Sequence, residues 1–206
     1  MNKTIAIFIS WLVHPLLMPS FLFILLRFFM PSLLEPLGHR ITMYLLLLIF
    51  ITTFLIPAMS LLGLKSMASI SSLKLEKRNE RVLPFSLITI IYITTAYMFK
   101  IRLDINPVLT IIFISYSLLV LILTLITVFW KISIHSAALG GVVGYLLALA
   151  YIFPDRRMLM PLTGIILLSG ITLSSRLQLN AHKPAEIYTG YTIGLIVGFT
   201  SIFFGI

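Results

Sequence analysis

Three short stretches of this chain carry side chains suited to handling an anion. The first holds Lys74 and Arg81, seven residues apart. On a helix that is close to two turns, so both cations would share one face. The second holds Ser133 and His135, at the point where an apolar run begins. Serine is a favoured N-cap, and a helix N-terminus offers an anion free N–H groups and the positive end of the helix dipole. The third runs from Ser175-Arg176 through His182 to Glu186. A guanidinium can grip phosphate with two parallel hydrogen bonds. Glu186, four residues after His182, can accept a hydrogen bond from one imidazole nitrogen, which fixes the tautomer and leaves the other nitrogen free to attack.

Each stretch also has a plainer reading. Lys74 and Arg81 can be part of a solvated charged loop, with Glu76 and Glu80 partly neutralising Lys77 and Arg78. Ser133 can be an ordinary cap beside an interfacial histidine, and His182 with Glu186 a rim histidine and a dipole-favoured carboxylate. Taken together, three cations beside two histidines, one of them backed by a carboxylate, suit a phosphate. Phosphoryl transfer needs positive charge around the equatorial oxygens, an in-line nucleophile and an acid for the leaving group.

The elements that must position these groups follow from composition. Of 206 residues, 60% are hydrophobic and 10% charged, against about 25% charged in a soluble domain. The charges are bunched, and the apolar runs between them approach the roughly 20 residues that cross a bilayer as a helix. Seven such segments read as about 5–29, 41–63, 84–101, 107–130, 136–153, 159–175 and 184–205. Lipid leaves each lone segment only the helix to satisfy its backbone. Pro15 and Pro19, following His14, predict a kink or an interfacial start in the first. That run, continuing to Met30, is too long for a signal-peptide core and lacks a small-residue cleavage site, so it is expected to be retained. The expected fold is therefore an all-α polytopic integral membrane helix bundle of six to seven transmembrane helices, with residues 1–206 forming one transmembrane domain.

If every segment crosses, the N-terminus and links two, four and six share one side of the membrane, side A. Links one, three and five lie on side B with the C-terminus. All three anion-suited stretches then fall on side A. A net charge of +9 in such a chain speaks for anionic headgroups, topology signals or a phosphate site rather than nucleic acid. Side A carries nine cations (Lys3, Lys65, Lys74, Lys77, Arg78, Arg81, Lys131, Arg176, Lys183) and side B six (Arg27, Arg40, Lys100, Arg102, Arg156, Arg157). Setting aside Lys74, Arg81 and Arg176 as ligands leaves six against six, so the positive-inside rule does not orient the bundle. With no cysteine, disulfides and thiolate metal sites are excluded. The six acids, Glu35, Glu76, Glu80, Asp104, Asp155 and Glu186, form no oxygen-ligand cluster. Gly140, Gly141 and Gly144, and the four-spaced Gly190, Gly194 and Gly198, read as close helix packing rather than a phosphate cradle. Trp11 and Trp130 read as interfacial anchors.

Over about residues 74–194 the chain resembles the type 2 phosphatidic acid phosphatase (PAP2) superfamily. That pattern runs Lys, six residues, Arg-Pro; then Pro-Ser-Gly-His; then Ser-Arg, five residues, His, three residues, Asp. Here the order and spacings are Lys74 and Arg81; Ile132-Ser133-Ile134-His135; Ser175-Arg176, His182 and Glu186. Gly190 follows where the family usually has a glycine. The departures are the missing proline after Arg81, the isoleucines at 132 and 134, and Glu186 in place of aspartate. The resemblance implies a six-helix PAP2-like core within about 74–206, no metal or other cofactor, and a site on the extracytoplasmic face of a bacterial inner membrane. It implies that Lys74, Arg81, Ser133 and Arg176 hold the substrate phosphate. His182 would form a phosphohistidine, Glu186 would orient it, and His135 would protonate the leaving group. The expected partners are the bilayer and a lipid phosphate or polyprenyl diphosphate substrate, with no nucleic acid. A non-catalytic lipid-phosphate binder or transporter, and a lipid phosphotransferase, are the competing functions on the same scaffold.

Overall fold

The computed structural model describes residues 2–73, 75, 77–102 and 105–205. Seven helical stretches among them are long and apolar enough to cross a bilayer: Lys3–Phe29, His39–Ser66, Arg78–Ile101, Pro107–Phe129, Ile134–Ile152, Arg156–Gln178 and Pro184–Gly205. No strand occurs among the described residues. The chain is an all-α polytopic membrane bundle, and the apolar runs locate its spans to about a helical turn. The largest difference is at the third span, which begins early because a 3-10 turn, Arg78–Arg81, leads into it.

Proline placement shapes the first two spans. The first is α1 (Lys3–Leu12), a 3-10 turn (Pro15–Leu17) and α2 (Met18–Phe29). Pro15 and Pro19 sit in the opening turns of their elements, where a missing N–H breaks no ladder. His14 caps the turn, its Nδ1 accepting the Leu16 N–H at 3.3 Å. The second span is α3 (His39–Phe50), a π-helical turn (Ile51–Leu55) and α4 (Ile56–Ser66). Pro57 cannot donate to the carbonyl four residues back. The Tyr92 hydroxyl donates to that Thr53 carbonyl instead, at 2.9 Å.

The remaining helices are α5 (Val82–Arg102), α6 (Pro107–Phe129), α7 (Ile134–Ile152), α8 (Leu159–Gln178) and α9 (Pro184–Gly205). The most apolar stretch of α7 is 72% buried inside the protein, against 22% for the second span, so α7 is the hub and α3–α4 lie at the lipid-facing periphery. The α7–α9 contact is the most extensive in the bundle. A Cβ on Gly140 would strike the Tyr191 carbonyl, and one on Gly194 the Ala137 carbonyl. The two backbones therefore touch, and the glycines serve packing.

Candidate active site

A helix ending, a short link and a helix start place the third stretch. At the end of α8, Asn180 takes the left-handed conformation (φ 50°). The Asn180 N–H donates to the Leu177 carbonyl at 2.9 Å and the Ala181 N–H to the Arg176 carbonyl at 3.2 Å. This is a Schellman ending, and it turns the chain so that His182 follows directly and α9 starts at Pro184. Glu186, in the first turn of α9, reaches back to the Lys183 N–H at 3.2 Å, as the glutamate of a capping box does. The same oxygen accepts from His182 Nδ1 at 2.7 Å. One carboxylate therefore caps the helix and orients the ring, a reach that suits glutamate at this position. His182 is 8% exposed and Glu186 7%. With Nδ1–H directed at Glu186, His182 Nε2 keeps its lone pair.

Burial pulls the His182 pKa below the ordinary histidine value of 6.5, to about 4. The Glu186 hydrogen bond opposes this shift, and the Arg81 and Arg176 guanidiniums reinforce it. The imidazole is thus neutral at neutral pH, as a nucleophile must be.

Arg81 is 5% exposed. Its Nε donates to the Leu75 carbonyl at 2.7 Å and its Nη1 to the Ile132 carbonyl at 3.1 Å, which ties links two and four together. Among the described residues, these bonds engage two of its five N–H groups. Arg78 makes a similar tie, Nη1 to the Phe129 carbonyl at 2.7 Å. The Ser133 N–H donates to the Glu186 carbonyl at 3.2 Å, joining the starts of α7 and α9. Ser133 is the N-cap residue of α7, yet its hydroxyl makes no cap bond. That hydroxyl is fully buried and has no hydrogen-bond partner among the described residues, and Arg176 Nε is likewise buried and unpartnered. Each such group is costly without an acceptor.

His135 lies in the first turn of α7 with Nε2 3.2 Å from the Ser10 carbonyl, which accepts its N–H. The Arg176 guanidinium is within electrostatic reach of His135, His182 and His14. The structure thus gathers Arg81, Ser133, His135, Arg176, His182 and Glu186 at one end of the bundle, while Lys74 lies outside the described residues. It also adds two contributors that the motifs omit, the Ser10 carbonyl and His14. For His14 alone the sequence held a signal, though not its partner: a histidine inside an apolar span is costly to bury and usually has one. An apolar cavity opens next to this cluster, lined by Leu16, Phe85, Ile88, Tyr92, Ile134 and Ala138 among others. Among the described residues no three His, Cys, Asp or Glu side chains group as metal ligands would. No protein-family model, curated protein or solved structure matches the chain.

Proposed function

We propose that this chain is a membrane-embedded phosphatase that hydrolyses a lipid phosphate or polyprenyl diphosphate through a phosphohistidine, as a divergent PAP2-type enzyme. The supporting observation is the buried His182–Glu186 pair with two guanidiniums within electrostatic reach and the unpartnered Ser133 hydroxyl beside it. A trianionic or dianionic headgroup would supply the acceptors that Ser133 and Arg176 lack.

In the first half-reaction His182 Nε2 attacks phosphorus and the P–O bond to the leaving group breaks. The leaving oxygen takes a proton from His135, which enters this step as the imidazolium, protonated on both nitrogens, with the anionic headgroup offsetting its charge. Because the Nε2–H of His135 is held by the Ser10 carbonyl, Nδ1 is the nitrogen that exchanges this proton. In the second half-reaction water attacks phosphorus and gives its proton to His135. The N–P bond breaks and inorganic phosphate leaves, which restores both rings. Arg81, Arg176 and Ser133, with Lys74 by resemblance, hold the nonbridging oxygens. The substrate tail runs along the apolar cavity next to Ile134 and Phe85. The site faces the extracytoplasmic side of a bacterial inner membrane.

Phosphate release by purified protein is the test. The panel is lipid A, phosphatidylglycerophosphate, phosphatidic acid and undecaprenyl diphosphate, with His182→Ala as control. Release from at least one lipid, blocked by vanadate and absent in His182→Ala, is expected. Full activity in His182→Ala excludes the mechanism, and binding without release points to the non-catalytic carrier. Product analysis with an added lipid alcohol separates a phosphotransferase from a hydrolase.

A further inference from the structure

His14 is the ionisable group nearest the site that the mechanism above leaves without a task. It sits in the middle of an apolar span, where such a group is costly and is retained for a partner. Its Nδ1 accepts the Leu16 N–H at 3.3 Å, so the ring is the neutral tautomer with its proton on Nε2. That Nε2–H has no hydrogen-bond acceptor among the described residues. The ring forms a T-shaped pair with His135, centroids 6.0 Å apart, and another with Phe54, at 6.4 Å. The Arg176 guanidinium is within electrostatic reach of it. Pro15 and the 3-10 turn break the first span at this position, which sets the ring against the start of α7 rather than toward lipid.

We infer that His14 is a specificity-determining residue that donates its Nε2–H to the leaving group, and that the leaving group is itself a phosphate, so the substrate is a diphosphate. The inference rests on the phosphatase reading and narrows it. His135 is the group that meets the leaving oxygen, so a donor packed against His135 lies on the leaving-group side. An alcohol departs as a neutral molecule once it has received one proton, and His135 alone meets its needs. A departing phosphate carries further charged oxygens into a buried pocket, where each needs a donor. His14 Nε2–H is a fixed, unengaged donor at that place, and Arg176 supplies the countercharge.

The test measures kcat/KM on farnesyl diphosphate and on farnesyl monophosphate, which share one tail. It compares the wild type with His14→Ala, His14→Phe and His14→Asn, and with His182→Ala as the catalytic control. His14→Phe keeps a ring in the packing position without the donor, and His14→Asn keeps a side-chain N–H. The diphosphate rate should fall about tenfold or more in His14→Phe and His14→Ala, the size of one hydrogen bond to a charged group. The monophosphate rate should change by less than about twofold, and His14→Asn should recover part of the diphosphate loss. Equal losses on both substrates, no loss on either, or a wild type that prefers the monophosphate would overturn the inference and leave the phosphatase intact. Absence of His182-dependent release from both substrates would overturn the inference, and its absence from the lipid panel above as well would remove the phosphatase reading.

Discussion

Arg157 at one end of the bundle and Arg81 at the other are both guanidiniums beside oxygen acceptors, and the protein treats them in opposite ways. Arg157 has a 65% exposed side chain and pairs with Asp155, two residues away, at 2.7 Å. Arg81 is 5% exposed and donates to carbonyls 6 and 51 residues away in sequence. Water can solvate the first cation unaided, so its ion pair is a local, screened contact. The second has left water, and only long-range folding or a bound anion can compensate it. Buried cations near a neutral imidazole mark the cluster at which we place the proposed chemistry. Exposed cations paired with their own neighbours, such as Arg157 with Asp155 and Lys77 with Glu80, mark surface that water can solvate.

This contrast yields tests, ordered by size of effect. Glu186→Gln keeps the size of the side chain and removes the charge that orients His182. Turnover should drop on the order of 10³-fold while the protein still folds; a rate within a few-fold of wild type would detach Glu186 from the chemistry. Gly194→Val forces a side chain into the Ala137 carbonyl and should cost about 3 kcal/mol, read as a lowered unfolding midpoint in detergent. The same substitution at Gly164, where a Cβ meets nothing within 4 Å, should leave the midpoint in place.

Ser133→Ala removes a buried hydroxyl that has no partner among the described residues. Stability should hold or rise while vanadate affinity falls about tenfold, and a loss of both together would make the hydroxyl structural. The acid limb of the rate profile should fall near pH 4 rather than 6.5, because burial keeps His182 neutral until then. The sign for folding agrees. The folded pKa lies below the unfolded one, so this term is fully present above pH 6.5 and is lost as pH falls toward 4. Arg157→Ala, at the solvated end, should change neither turnover nor midpoint.

Much of the fold was legible because lipid leaves apolar runs so few options. Seven runs became seven spans, and Pro15 and Pro19 did break the first. The parity of the links alone puts the three polar stretches at one end. What could not be read were contacts that depend on tertiary approach. Ser133 has the residue type of a cap and does not cap: its N–H goes to the Glu186 carbonyl at the start of α9, and its buried hydroxyl makes no cap bond. The Ser10 carbonyl and His14 have no spacing relation to His135, which follows Ser10 by 125 residues. The π-helical turn at Ile51–Leu55 comes with a tyrosine hydroxyl on another span, which no local propensity encodes.

The touching backbones of α7 and α9 have a mechanical consequence. Parting these helices would strip the Ala137, Gly141 and Tyr191 carbonyls of close apolar cover, so this pair behaves as a fixed anvil carrying His135 on one member and Glu186 on the other. The apolar cavity takes none of its lining from α9, so the lipid tail we propose for it would enter without parting this pair. The geometry of the proposed site would then stay constant while the cavity fills.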